Sequence, residues 1–397
     1  MGMTRRNFLN LSMGAAAGFA GGSLGLSFSA ERAEAAGPIL LGINMDLSSG
    51  WENYGNTFVN AVKLAAKEIN AKGGLLGRKL ELIVEDNKID PKTVVEKARK
   101  LIYQDKVDVH VGPIASSSRN AAAPLTTRAK KIMLYPIQYE GGVCDKYIFV
   151  TGPVPYQQID PTVPWLMKQF GKRFFLFGSD YVWPHKMNEA VKARLTQLGG
   201  AVVGEEYAVI GTSDFASTIN RMKAVSPNVV FMELTGKDVI AFSKQLHSFG
   251  LKDKIQQVSL AHDNDLLKAI GPEAGEGIIS VNSYVPEINT PENKKFVADF
   301  KAEFGQDAFL TYITEPVYNI IHLYAQGVQK AGSLDTEKVV KGIENQRFNA
   351  PSGEVWMRPV DHHVSLSIYI ARWTKAGQYE ILESFKSIKP GENQCKA

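Results

Sequence analysis

From residue 39 onward, short apolar runs alternate with stretches whose apolar residues recur at helical spacing, and this rhythm occurs twice. Ile39-Leu40-Leu41-Gly42-Ile43 is an apolar run that ends in the polar segment Asp46-Leu47-Ser48-Ser49-Gly50. Phe58, Ala61, Val62, Ala65, Ala66 and Ile69 then follow a period near 3.6 and stop at Gly73-Gly74. Residues 80–84 read as a second strand, and Pro91 opens a helix carrying Val94, Val95, Ala98, Leu101 and Ile102. Residues 107–111 are the third strand; a serine-capped helix and the strand 132–135 follow. The pattern restarts with strands at 173–178, 201–207, 229–232 and 278–281, separated by helices at 187–198, 215–224 and 239–249. Continuous apolar strands joined by helices predict parallel sheets covered on both faces. The expected fold class is therefore α/β, with two doubly wound lobes in series and a cleft between them. The tail differs: 355–357, 365–373 and 379–385 alternate like antiparallel strands.

In open parallel sheets, ligands sit beyond the carboxyl ends of the strands, where helix N-termini leave backbone N–H groups free. The segments expected to line the cleft are therefore 46–50, 112–118, 135–141, 178–184, 233–236 and 261–265.

The first 35 residues read as an address. Thr4-Arg5-Arg6-Asn7-Phe8-Leu9 precede an apolar, glycine- and alanine-rich run over 11–28, and Ala33-Glu34-Ala35-Ala36 supplies a small-residue cleavage region. A basic start, an apolar middle and an A-x-A end make an export signal. The arginine pair followed by Phe8-Leu9 resembles the twin-arginine signature, which implies the twin-arginine export machinery as a partner. Gly14, Gly18, Gly21, Gly22 and Gly25 make a poor permanent span. Removing the leader takes away three arginines and two glutamates, so the net charge of +4 becomes +3. The expected location is periplasmic, soluble after cleavage. In an oxidising compartment the only two cysteines, Cys144 and Cys395, are either a disulfide or two free thiols.

At 44% hydrophobic and 22% charged the chain can bury a substantial core, which excludes disorder. No lysine- or arginine-rich run marks a nucleic-acid partner. No HExxH, CxxC, GxSxG or P-loop pattern occurs, so neither an enzyme nor a cofactor is expected. His362 and His363 are adjacent, and on a strand they would face opposite sides rather than share a metal.

Tyr135-Pro136-Ile137-Gln138-Tyr139-Glu140-Gly141 and Gly178-Ser179-Asp180-Tyr181-Val182-Trp183-Pro184 resemble the type I periplasmic binding proteins of the urea and short-chain amide branch, which is also related to branched-chain amino-acid binders. Glu85-Asp86, 96–101 and 290–294 extend the likeness through the chain beyond the leader. The resemblance implies a first lobe begun by 36–153, a second lobe at 154–285, and a return segment at 286–397 that completes the first lobe and the hinge. It implies capture of a small nitrogenous solute (urea, a short amide, an amine or a guanidine compound) and delivery to an ABC permease and its ATPase.

Carried over by position, the ligand residues would be Ser116, Tyr135, Ile137, Gln138, Tyr139 and Tyr181. Ser116 is either a ligand contact or a plain helix cap, and Tyr135 and Tyr139 are either ligand contacts or core. The amide of Gln138 donates and accepts at once, which suits an amide-like ligand. Departures from the branch are Ile114 in place of an aromatic residue, Glu233 in place of a threonine-like one, and His262-Asp263 in place of a small polar one. A carboxylate in a cleft calls for a cation or several donors. Glu233, His262 and Asp263 thus join the expected site, with a Glu233–Lys237 pair as the alternative for Glu233. Two rival readings remain open: a branched-chain or other amino-acid binder, with a carboxylate held at 116–118, and a ligand-sensing receptor subunit.

Overall fold

The computed structural model describes residues 37–391 together with 394 and 395; the expected export leader lies outside the described residues. The first half contains β1 (Ile39–Met45), α1 (Glu52–Ala71), β2 (Leu80–Asp86), α2 (Pro91–Arg99), β3 (Val109–Val111), α3 (Ser116–Arg128), β4 (Ile132–Tyr135) and β5 (Ile148–Val150). Its sheet is parallel throughout, in the order β2-β1-β3-β4-β5. The order turns back at β1, which places the ends of β1 and β3 at a switch point where ligands bind in such sheets. Ile39, Leu41, Ile43 and Met45 on one face of β1 are buried, and so are Gly42 and Asn44 on the other, as a strand covered on both faces requires. The helical spacing read in α1 is also its buried face: Phe58, Ala61, Val62, Ala65, Ala66 and Ile69.

After α4 (Pro155–Phe170), the second half runs β6 (Arg173–Ser179), α5 (Val182–Gln197), β7 (Ala201–Ala208), α6 (Ala216–Val225), β8 (Val229–Glu233), α7 (Lys237–Ser248), β9 (Gln256–Ser259), α8 (Asn264–Ile270), α9 (Pro272–Gly275) and β10 (Ile279–Asn282). The chain closes with α10 (Pro291–Phe304), α11 (Thr314–Ala331), α12 (Thr336–Ile343), β11 (Arg347–Ala350), β12 (Gly353–Met357), β13 (Val364–Trp373) and β14 (Tyr379–Ile388). The second sheet has the order β11-β12-β13-β10-β9-β8-β6-β7, with β14 on β13. Strands β6 to β10 are parallel, and β11 to β14 extend the sheet antiparallel from β10.

Two differences from the sequence reading are structural. The return segment does not complete the first half alone. Its helices α10 and α11 pack on α1, whereas its strands enter the second sheet through β13 against β10. The segment 155–170, with prolines at 155, 161 and 164, carries no readable helix signal, yet it forms α4. Pro155 sits at the first turn, where no N–H is missed, and Pro161 and Pro164 lie inside the helix. Gln157 and Gln158 in α4 are buried and tie the helix to distant backbone. The Gln157 amide donates to the carbonyls of Val364 (3.0 Å) and Ile388 (2.8 Å), and that of Gln158 to Val281 (3.0 Å).

Cys144 and Cys395 are joined as a disulfide, with Cα atoms 4.8 Å apart. Gln394 beside it accepts the Gly142 N–H at 3.0 Å and donates its own to Asp361 at 2.9 Å, so the tail is fastened to the 141–144 loop. Among the described residues, no helix is long and apolar enough to cross a membrane.

Candidate functional site

The loops after the strands meet in one cavity lined by Trp51, Tyr54, Ile114, Ala115, Ser116, Ile137, Gln138, Tyr181, Trp183, Thr235, Ala261 and Tyr312. Nine of these twelve fall within the strand-end segments named from the sequence; Trp51, Tyr54 and Tyr312 do not. Its empty space is about 470 Å³ with the mouth included. A small solute fits such a space. None of the lining side chains is an aspartate, glutamate, lysine or arginine.

Each lining group is placed by its own loop. After β1, the buried Asp46 gathers the turn: its carboxylate accepts the N–H groups of Ser49 (3.1 Å) and Trp51 (3.0 Å) and the Ser49 hydroxyl (2.6 Å). That holds Trp51 at the start of α1. Gly55 lets α1 approach this turn, because a Cβ there would fall on the Asp46 carbonyl oxygen. Gly152 does the same for the β4 loop, where a Cβ would fall on the peptide between Ile137 and Gln138. In the second half, Ser179 accepts the Thr235 N–H at 3.2 Å and fixes that residue beyond β8.

Helix α3 starts without a side-chain cap. Ala115 is its N-cap residue and Ser116 its first helical residue, which corrects the reading of Ser116 as the cap. The Ser116 hydroxyl instead donates to Glu140 at 2.6 Å. The helical ladder begins with the Arg119 N–H on the Ala115 carbonyl, so the N–H groups of residues 116–118 precede it. The Glu140 carboxylate also pairs with Arg119 (2.6 Å), whose guanidinium lies over the rings of Tyr135 (5.0 Å) and Tyr139 (4.5 Å).

Of the expected site residues, Ser116, Ile137, Gln138 and Tyr181 line the cavity; Tyr135, Tyr139, Glu233, His262 and Asp263 do not. Tyr135 is buried and donates to the Ile114 carbonyl at 3.1 Å. Tyr139 is buried with its hydroxyl 2.6 Å from His363 Nε2 and accepting the Val143 N–H. Both tyrosines are thus core, clasping Arg119. Gln138 lines the cavity with its amide already engaged: Nε2 donates to the Leu260 carbonyl at 2.7 Å, and Oε1 accepts from Gln158 at 3.3 Å. One of its two N–H donors and one side of its oxygen are therefore spent within the protein.

Glu233 is fully buried at the end of β8, neither of its carboxyl oxygens has a partner, and it makes no pair with Lys237. Burial pushes its carboxyl well above the usual range, because desolvation disfavours the charged form. His262 is fully buried with both ring nitrogens unpartnered, and burial pushes it down to about 3. Asp263 is the N-cap of α8, accepting the N–H groups of Asp265 and Leu266 at 3.1 Å each. These three belong to the layer behind the lining, not to the lining.

Sequence reasoning missed Trp51, Tyr54, Trp183, Thr235 and Tyr312 as individual residues. Trp51 follows directly on a named segment, and Trp183 and Thr235 lie inside two others. Tyr312 gives no local signal, because it comes from the return segment. Trp183 is buried, and its Nε1 has no partner, so one of the lining residues carries an unspent donor. The two halves are also bonded to each other at the cavity, by Gln138 to Leu260 and by Asn53 to Asp265 at 2.6 Å.

The sequence profile described as "Periplasmic binding protein" matches residues 38–378. The chain belongs to the periplasmic binding protein family. This binding protein is 25% identical over 318 residues to the "Leu/Ile/Val-binding protein homolog 6" of Brucella melitensis, covering 78% of this chain and 81% of that one. It is 25% identical over 306 residues to the "leucine-, isoleucine-, valine-, threonine-, and alanine-binding protein" of Pseudomonas aeruginosa, covering 76% and 81%. Among solved structures, a solute-binding protein of an ABC transporter from Rhodopseudomonas palustris, in complex with 3,4-dihydroxybenzoic acid, superposes with a TM-score of 0.81 at 27% identity, covering 89% and 99%. These relatives are binding proteins rather than enzymes, and their descriptions point to amino acids and aromatic acids, not to the urea and amide branch.

Proposed function

We propose that this protein is the solute-capturing component of an ABC importer and that its solute is a small carboxylate of the amino-acid class. The observation that carries this is the uncapped start of α3 beside an uncharged, aromatic-walled cavity. The free N–H groups of residues 116–118 and the positive end of the helix dipole favour a carboxylate there, and Trp183 Nε1 offers a further donor. The relatives that bind leucine, isoleucine and valine, and those crystallised with aromatic acids, share the carboxylate and support the same reading. Urea and short amides lack it, and the Gln138 amide that would have served them already spends one N–H and its oxygen within the protein.

In this reading residues 36–153 and 154–285 supply the two lobes, 286–397 returns between them, and residues 1–35 direct export by the twin-arginine route. The lobes close on the solute because only the closed form contacts it from both sides. The closed protein is then recognised by a permease and its ATPase. A thermal-shift screen on protein unfolded and refolded to strip bound solute tests this. Small carboxylates, with amino acids among them, are expected to raise the melting temperature in a saturable way, whereas urea, acetamide and formamide leave it unchanged. Stabilisation by the amides alone would reverse the assignment.

A further inference from the structure

Apart from Ser116, Gln138 and Thr235, the side chains that line the cavity are apolar or aromatic, and five of the twelve lining residues carry aromatic rings. Trp51 and Tyr54 meet edge-to-face at 6.4 Å, and Tyr54 and Tyr312 at 5.9 Å. Tyr181 and Trp183 form a second pair at 6.4 Å, tilted by 31°. The first set comes from the start of α1 and the loop before α11, the second from the start of α5. Rings from both halves thus face one small space.

A primary ammonium brings three N–H donors and is served best by a carboxylate. No carboxylate lines this cavity; Glu233 and Asp263 stand behind it, and Oδ1 of Asp263 holds the first turn of α8 while its carboxyl also bonds Tyr54. A fully N-methylated ammonium has no N–H to satisfy. Its charge is diffuse, and aromatic faces supply the attraction it needs. Building on the carboxylate reading above, we propose that the solute is a small zwitterion with a quaternary, N-methylated ammonium, held by cation–π contact with the Trp51, Tyr54, Tyr181, Trp183 and Tyr312 box.

Three probes of similar size separate the contributions: glycine betaine, its uncharged-carbon isostere 3,3-dimethylbutanoate, and valine. Titration calorimetry on stripped protein is expected to give betaine an affinity at least tenfold above both others. Trp51→Leu is expected to weaken betaine binding by more than tenfold and dimethylbutanoate binding by less than threefold, while Trp51→Phe, which keeps a π face, retains most of the affinity. Circular dichroism of both variants shows whether they are folded. Equal binding of betaine and its isostere would overturn the cation–π claim. Valine or leucine binding tighter than betaine would overturn it too, yet leave the carboxylate reading standing. Failure of all three probes and of leucine to bind would bring down both.

Discussion

At Asp263 two local effects pull the carboxyl in opposite directions. As the N-cap of α8 it accepts two backbone N–H bonds, which favour the charged form. It is also buried, and burial wins, pushing the carboxyl up to about 7. A carboxyl whose folded value lies above its unfolded value of about 4 binds more protons in the folded state. Its contribution to stability is therefore full at low pH and is lost as pH rises from about 4 to about 7. His262, next to it, has the opposite sign: pushed down to about 3, it costs stability as pH falls below about 6.5. The wild-type profile mixes the two, but the Asp263→Asn variant separates them, because asparagine keeps the cap and loses the charge. The stability of Asp263→Asn relative to wild type, read by chemical denaturation at a series of pH values, is expected to rise between about pH 4.5 and 7 and then to level off. The slope of that rise is at most about 1.4 kcal/mol per pH unit, the limit for one proton. A relative stability that falls as pH rises would mean that the cap bonds, not burial, dominate.

At the scale of elements, the cavity is as good as the turns that carry its residues. Gly55 and Gly152 each sit where a methyl group would press on backbone, against Asp46 and against the Ile137–Gln138 peptide. Gly55→Ala and Gly152→Ala are expected to cost about 1–3 kcal/mol each, as overpacked sites do. Because the displaced backbone is a lining loop, both are also expected to lower solute affinity. Chemical denaturation and calorimetry on the same preparations check both effects; lost stability with unchanged affinity would detach these turns from the site. The same elements show what was readable in the sequence. Strands such as β1 and β8 announce themselves because burial on both faces demands unbroken apolar runs. Their carboxyl ends then locate most of the cavity. Helix α4 does not announce itself, since three prolines mask a pattern that tertiary packing restores. Glu233 reads as a cleft residue from its place at a strand end, but strand-end position does not say which way a side chain turns. Tyr312 is set by where a distant segment returns, and no local spacing encodes that.

For the whole molecule, the proposed capture of a solute between the two halves makes affinity depend on closure. The two halves hold each other through Gln138 to Leu260, buried beside the cavity, and Asn53 to Asp265, exposed at its rim. Gln158 reinforces the first bond, since one α4 side chain touches both Gln138 and the Val281 carbonyl on β10. The disulfide between Cys144 and Cys395 holds the tail to the first half, whereas Gln138 to Leu260 and Asn53 to Asp265 are hydrogen bonds alone. Apparent affinity scales with the fraction of protein in the binding-competent form. Asn53→Ala removes one exposed hydrogen bond worth about 0.5–1.5 kcal/mol. It is expected to weaken solute binding by roughly two- to tenfold, chiefly through faster release. Gln138→Ala breaks the buried bond, leaves the Leu260 carbonyl unsatisfied, and is expected to cost more. Stopped-flow tryptophan fluorescence reads the release rate, and small-angle scattering reads the radius of gyration of stripped protein. If the bonds act on closure, Asn53→Ala speeds release of every solute by the same factor and enlarges the solute-free molecule. A variant that reorders the solutes would instead place Asn53 in recognition and separate the rim bond from closure.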